Sequence, residues 1–190
     1  MELAAVRQDG ASVGIEGWGR EHVGYAVGLE GAAAAGSVRI VAAFDGTDVD
    51  LEPAQRGIAG VVLDAGESVE LEVEGAFRLV ASEPILVVQT LGGTSISWVV
   101  APVDRHRSEH AIDLPYGALD EHALVIVRPR ETWTCIDGRV SGLARVARVG
   151  DWECCVTRVR AGAHRVIGER AFALVAIGRE GIAPYASASL

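Results

Sequence analysis

The run LDAGESVELEVEGAF, at residues 63–77, alternates between apolar and acidic side chains over most of its length. Val69, Leu71 and Val73 fall on one side of the run, with a glutamate after each of them. Because side chains of an extended strand point alternately to its two faces, this pattern predicts a strand with one buried and one solvated face.

Short runs of this kind recur along the chain, separated by turn residues such as Asp45-Gly46-Thr47. The composition includes 23 glycines but three phenylalanines and one methionine, so the interior must be built mainly from Val, Ala, Leu and Ile. Such a composition favours short strands joined by turns over long helices. We therefore predict an all-β protein, in which the segment 116–124 alone has the composition of a helical turn.

The second half of the chain repeats the first. Thr132 and Ile136 match Thr47 and Leu51 at a shift of 85, and Ala161-Gly162 matches Ala65-Gly66 at a shift of 96. Two imperfect copies are too few for a solenoid. The sequence instead predicts two tandem, duplicated antiparallel β-sandwich units, residues 1–101 and residues 102–190, with a boundary near residues 100–105.

The charge distribution excludes several partners. The formal net charge is −9, and all 17 basic residues are arginines. Without a basic run, the chain has no footprint for the phosphates of nucleic acids or of an anionic membrane surface. No apolar stretch is long enough for a membrane span, and the segment MELAAVRQDG does not resemble a signal peptide.

Two groups of side chains are candidate metal ligands. Asp45, Asp48 and Asp50 offer carboxylate oxygens suited to Ca²⁺, but the same three positions fit a turn followed by the wet face of a strand. His106 and His110 would face one side of a helix, as zinc ligands do, although the segment between Pro102 and Pro115 is typical of a linker. We expect no bound metal or other cofactor.

His164 follows a Gly-containing turn, which suggests the alternative of a cupin-like metal-dependent enzyme. The His-x-His pair of such enzymes is absent. The chain also lacks the G-x-S-x-G elbow of many serine hydrolases. The sequence therefore predicts a protein that is not an enzyme.

Five ordered blocks carry a resemblance to a known family: GWGREHVGYAV, VRIVAAFDGTDVDL, VVLDAGESVEL, ASEPILVVQ and the C-terminal VRAGAHRVIGERAFALVAIGREGIAPYASASL. Together they resemble the N-terminal domain family of IgGFc-binding proteins. The resemblance implies a β-rich module for adhesion or ligand binding, without catalytic residues, in secreted or surface-displayed proteins.

The alternation of side chains along the strands predicts the strand face on which each of the three cysteines lies. Aligning the repeats turns Cys135 and Cys154 away from the core and Cys155 into it. The extracellular location that the resemblance implies is oxidising, and on that basis we predict a Cys135–Cys154 disulfide and a buried Cys155 thiol. Three reduced thiols are the alternative.

The sequence thus predicts a non-catalytic extracellular or cell-surface binding or adhesion module, with a protein or glycan ligand. The acidic strand faces of the first half are one candidate contact surface. Trp98, Trp133, Trp152 and Tyr185 are candidate aromatic contacts or, alternatively, parts of the packing between units. A structural subunit that assembles through strand edges is a further alternative.

Overall fold

The computed structural model describes residues 7–8, 11–12, 17–28, 34–116, 122–140, 143–180 and 183–189. A short 3₁₀ turn spans Val103–Arg105. The strands of the described residues are β1 (Arg7–Gln8), β2 (Ala11–Ser12), β3 (Trp18–Tyr25), β4 (Gly36–Ala42), β5 (Thr47–Gln55), β6 (Ile58–Leu63), β7 (Ser68–Val73), β8 (Ala76–Thr90), β9 (Ser97–Val99), β10 (Arg107–Leu114), β11 (His122–Pro129), β12 (Thr134–Ile136), β13 (Arg139–Val140), β14 (Ala144–Val149), β15 (Trp152–Val159), β16 (Gly162–Glu180) and β17 (Ala183–Ser189).

These strands form two curled antiparallel sheets, which confirms the predicted all-β, sandwich-like fold. Within the described residues, β3–β9 make a seven-stranded sheet and β10–β17 an eight-stranded one, and β1 and β2 pair only with each other. The first sheet ends at Val99 and the second begins at Arg107. The predicted units, 1–101 and 102–190, meet between these strands, and their independence as domains stays a prediction.

Each sheet is organised around one long strand. β8 pairs with β3 and β5 through its first part and with β4 and β9 through its second part. β16 does the same, with β10 and β12 along its first part and β11 and β17 along its second. The strand order therefore repeats in the second sheet, as expected for an internal duplication.

One of the two sequence matches used to recognise the duplication is wrong. Gly162 begins β16, the counterpart of β8, whereas Gly66 lies in the turn before β7. The strand that corresponds to β7 is β15, and the turn before it is Gly150-Asp151. An Ala-Gly pair followed by a strand occurs at many turns, so it does not fix the alignment of two repeats.

The expectation of a helical turn at 116–124 is also wrong where it can be checked. His122 to Leu124 begin β11, and residues 117–121 lie outside the described part. Because β11 is central in its sheet, its neighbours β15 and β16 provide hydrogen bonds that the local composition does not reveal.

The described residues form three hydrophobic clusters. One lies inside the first sheet around Phe77, one inside the second sheet around Phe172, and one between the two sheets. We call the last the junction core; it includes Val23, Tyr25, Leu91, Trp98, Val125, Val127, Val149, Cys154, Ala173 and Ile177. The two sheets are therefore packed together through an apolar interface.

The junction core explains the sequence of β11. Leu124 and Ile126 point into the core of the second sheet, while Val125 and Val127 point into the junction core. A strand that is buried on both faces is continuously apolar instead of alternating, as the run ALVIV is.

Gly24 on β3 is required by close packing nearby, since a Cβ there would lie 2.3 Å from Cζ of Phe77.

Candidate functional site

The two sheets share one irregularity, which lies at equivalent positions of their long strands. In the first sheet, Gly19 pairs with Ile85 and Glu21 pairs with Val80. In the second, Arg107 pairs with Phe172 and Glu109 pairs with Ile167. In both cases the long strand has three more residues than its neighbour between the two pairs, which makes a large, irregular β-bulge.

A Glu-His dipeptide faces each bulge. Glu21 of the first sheet accepts a hydrogen bond of 2.8 Å from Nε of Arg78. Glu109 of the second sheet accepts one of 2.7 Å from Nε of Arg165. This pair was not predicted from the sequence, although it carries a signal there: Glu21-His22 and Glu109-His110 lie 88 residues apart, close to the repeat shift.

The two histidines contact the carbonyl group that follows each bulge. Nε2 of His22 lies 3.2 Å from the carbonyl oxygen of Ile85, and Nε2 of His110 lies 2.9 Å from that of Phe172. His22 also has its Nδ1 2.9 Å from the carbonyl oxygen of Val100. Burial lowers the pKa of both histidines, against the opposing effect of these carbonyl groups. Each imidazole therefore contacts the backbone of the long strand where its bulge ends.

An open cleft of about 580 Å³ lies where the bulge regions of the two sheets meet. We call it the junction cleft; it is lined by Glu21, Glu52, Arg78, Val103, His106, Pro129, Gly150, Asp151, Trp152, Arg170 and Ala171. Two of these residues, Arg170 and Ala171, belong to the bulge of β16. The cleft therefore depends on the packing of the duplicated sheets against each other.

Three charged residues of the first sheet form one wall of the junction cleft. Arg78 donates to Glu21 at 2.8 Å and, through Nη1, to Glu52 at 3.4 Å. The Glu21 carboxylate is the main reason why the pKa of Arg78 is raised. The Glu21 and Arg78 side chains are each 32% exposed and that of Glu52 is 53% exposed, so Glu52 is the more accessible carboxylate.

The second sheet supplies the opposite wall. Gly150, in a left-handed conformation with φ of 50°, brings the turn before β15 close to Glu52. Trp152 follows this turn, and its ring meets that of His106 edge-to-face with centroids 5.2 Å apart. Burial lowers the pKa of His106 to about 4, so this imidazole is neutral at pH 7. An indole and an uncharged imidazole thus lie beside the charged wall.

The three aspartates considered for calcium do not gather at one point. Asp45 accepts a hydrogen bond of 3.0 Å from the backbone N–H of Ala65, which ties two turns together. Asp48 and Asp50 are exposed on β5. Among the residues that the structure describes, no group of three or more His, Cys, Asp or Glu side chains is arranged to hold a metal ion.

The histidines considered for zinc have other partners. His106 directly precedes β10 and His110 lies within it, so the two histidines do not share one face of a helix. His110 is buried against the Phe172 ring, with 4.5 Å between the ring centroids. His164 has its Nδ1 2.7 Å from the Asp137 carboxylate. Burial lowers the pKa of His164, but the Asp137 carboxylate and the Arg160 carbonyl outweigh burial and raise it.

All three cysteines have free thiols in this structure. Cys155 lies in the core of the second sheet, and Cys154 lies in the junction core with its Sγ 4.0 Å from the carbonyl oxygen of Gly24. Cys135 is half-buried on β12, beside Ile136, which packs on the second core. The Cys135–Cys154 disulfide stays a prediction: one free thiol is expected after unfolding without reductant, and three would contradict it.

The aromatic candidates separate into two groups. Trp98 is buried in the junction core, and Trp152 packs against that core while lining the junction cleft. Trp133 is 46% exposed, outside the cleft. The side chain of Tyr185 lies outside the described part. Trp152 is therefore the candidate best placed to contact a ligand.

The chain belongs to the family described as IgGFc binding protein, which matches residues 12–178. This membership confirms the resemblance seen in the sequence, and the family is one of binding modules. No curated protein and no solved structure matches the chain. None of the helices in the described residues is long and apolar enough to cross a membrane.

Proposed function

We propose that this chain is a non-catalytic extracellular or cell-surface binding module of the adhesion type, and that the junction cleft is part of its contact with a protein ligand. The observation that carries the proposal is the open cleft of about 580 Å³ between the duplicated sheets, with charged side chains and Trp152 in its walls. Concave surfaces with an aromatic side chain and a few charged groups are the usual ligand sites of rigid modules.

The family description supports a protein as the ligand and makes the Fc fragment of IgG the first to test. Immobilised Fc should bind the chain saturably, whereas the Fab fragment of the same antibody should not. Asp151→Arg places a cation and a longer side chain at the cleft and should weaken Fc binding about tenfold or more.

The matched control for this variant is Asp48→Arg. Asp48 is also exposed and acidic, but it lies outside the junction cleft. If both variants weaken binding equally, bulk charge and not the cleft carries the interaction. Equal binding of Fc and Fab, or binding of neither, would contradict Fc as the ligand, and a glycan array would then test the glycan alternative.

One observation favours the alternative of a structural subunit. β6 ends the strand order of the first sheet, and the Ile58 and Val62 side chains on it are 40% and 65% exposed. Exposed apolar edge strands pair readily with further chains. Sedimentation would then show assemblies at micromolar concentration that Val62→Lys disperses; a concentration-independent monomer would contradict this alternative.

A further inference from the structure

The charges of the junction cleft do not balance. Its walls contain three carboxylates, from Glu21, Glu52 and Asp151, and two guanidinium groups, from Arg78 and Arg170. With His106 neutral at pH 7, the cleft has an excess of one negative charge. The chain as a whole, at −9, adds a field of the same sign.

Two of the three carboxylates that line the cleft, Glu52 and Asp151, belong to exposed residues, as does the guanidinium group of Arg170. Glu21 and Arg78 satisfy each other at 2.8 Å and are largely covered. Glu52 contacts the same arginine at 3.4 Å and is the more exposed carboxylate, facing the turn of Gly150 and Asp151. The cleft is therefore lined by carboxylates from both sheets, those of Glu52 and Asp151. The contact between Glu52 and Arg78 is weak.

The chemistry beside these carboxylates suits an organic cation. Trp152 lines the same cleft, and an indole face attracts a guanidinium or ammonium group. Pro129 and Val103 add apolar surface for the carbon chain that carries such a group. A volume of about 580 Å³ holds a long side chain together with the backbone around it.

We propose that the junction cleft binds an arginine or lysine side chain of the protein ligand, between the carboxylates of Glu52 and Asp151 and against the indole of Trp152. This inference rests on the proposed function and specifies the chemistry of the partner. Arginine is the better fit of the two, because its planar group can pair with a carboxylate and stack on an aromatic ring at once.

A peptide pair tests the inference on the unaltered protein. The probe is a capped peptide with one arginine between glycines and serines, and the control is the same peptide with citrulline, which has nearly the same shape but no charge. The arginine peptide should bind about tenfold more tightly and should shift the indole N–H resonance of Trp152, assigned with Trp152→Phe. Equal binding of both peptides would overturn the proposal.

Matched double variants locate the contact. Glu52→Gln with Asp151→Asn should remove the preference for the arginine peptide, whereas Asp48→Asn with Glu67→Gln, which removes as much charge from exposed positions outside the cleft, should leave it unchanged. An equal loss in both variants would overturn the proposal by showing that net charge alone attracts the peptide.

The same variants separate this inference from the proposed function. If Fc binds the unaltered chain and the Glu52→Gln, Asp151→Asn variant equally, the cation site is wrong and the binding module stands. If the arginine peptide binds at the cleft but Fc does not bind at all, the cation site stands and Fc is not the ligand.

Discussion

The two copies of the Glu-His bulge differ in what covers them. In the first sheet, the Glu21–Arg78 ion pair is 32% exposed on each side and forms a wall of the junction cleft. In the second sheet, the corresponding Glu109–Arg165 pair is exposed by 50% and 63% and lies outside the junction cleft. Both sheets therefore have the Glu-His dipeptide at the bulge of the long strand. Only the copy in the first sheet forms part of the candidate site, because of the way in which the two sheets pack.

The histidines of the two copies also differ, and His22 of the first sheet has more contacts with backbone carbonyl groups than His110 of the second. His22 has three carbonyl oxygens within 3.3 Å of its ring nitrogens, from Val100, Ile85 and Gly19. His110 contacts the Phe172 carbonyl oxygen at 2.9 Å and the ring of the same residue. Since Val100 begins the segment between the two sheets, His22 ties the bulge of the first sheet to that segment, which His110 does not.

The largest expected effect on the free energy of unfolding concerns the junction core, which lies between the two sheets. Trp98→Ala removes a large side chain that is 7% exposed between the sheets, and it should lower the free energy of unfolding by about 4 kcal/mol. Trp133→Ala, at a position 46% exposed, should lower it by no more than about 0.5 kcal/mol. Urea denaturation measures both, and similar losses would contradict the burial described for Trp98.

The histidine comparison is tested next by His22→Ala and His110→Ala. The first removes the single N–H of a neutral, buried imidazole that lies within 3.3 Å of three carbonyl oxygens, and it should cost about 3 kcal/mol. The second should cost about 2 kcal/mol. Glu109→Gln, at an exposed ion pair, is the control and should cost about 0.5 kcal/mol at most. A larger loss for His110→Ala than for His22→Ala would reverse the comparison.

The acid sensitivity of the junction follows from His106. Its pKa is about 4 in the folded protein and 6.5 when unfolded, so below pH 6.5 the unfolded chain binds the proton more readily. Stability is then lost as the pH falls, by about 2 kcal/mol between about pH 7 and about pH 5 from this group. The groups that act on it electrostatically are His22, His110 and Glu21.

Urea denaturation at a series of pH values checks this, with His106→Phe as the variant that should reduce the loss. His22 and His110 also have lowered pKa values and contribute with the same sign, so some acid sensitivity should remain. His164 has a raised pKa and the opposite sign: its contribution is present below pH 6.5 and is lost as the pH rises through the folded pKa. An unchanged pH profile in His106→Phe would show that His106 is not buried as described.

The sequence was sufficient for the fold class, because alternation and turn residues are local signals. It also indicated the duplication, although the match of the two Ala-Gly turns was wrong. It was not sufficient for the junction core. Val125 and Val127 look like any apolar residues of a strand, and only the three-dimensional arrangement shows that they face the other sheet. The aspartates and histidines could be recognised as candidate ligands from their residue types. Their actual hydrogen-bond partners, such as the carbonyl group of Phe172, have no signal in the sequence.

The junction cleft was hidden for the same reason. Glu21, Glu52 and Trp152 lie on three strands from two sheets, and their proximity depends on how those sheets pack. Residues that meet only through the packing of two repeats have no fixed spacing in the sequence. The repeated Glu-His dipeptide was the one part of this region that the sequence could have revealed, since it follows the repeat shift.

The last comparison concerns the reactivity of cysteines, first between the half-buried Cys135 and Cys154 of the junction core. With all cysteines reduced, alkylation of the folded protein should modify Cys135, which is half-buried, well before Cys154. Burial raises the pKa of Cys154 to about 12 from 9.0, which lowers its thiolate population about a thousandfold near neutral pH. Mass spectrometry of the modified peptides gives the rates, and unfolded protein, in which all three should react alike, is the control.

Cys154 and Cys155 are adjacent but lie in different cores, so their relative rates report which core opens first. Alkylation of Cys154 requires the two sheets to separate, whereas alkylation of Cys155 requires the second sheet itself to open. We expect Cys154 to react faster than Cys155 below pH 6, because His106 and the other buried histidines weaken the junction as the pH falls. If the two rates stay equal at every pH, the sheets do not separate before the molecule unfolds, and the junction core is as stable as the sheets it joins.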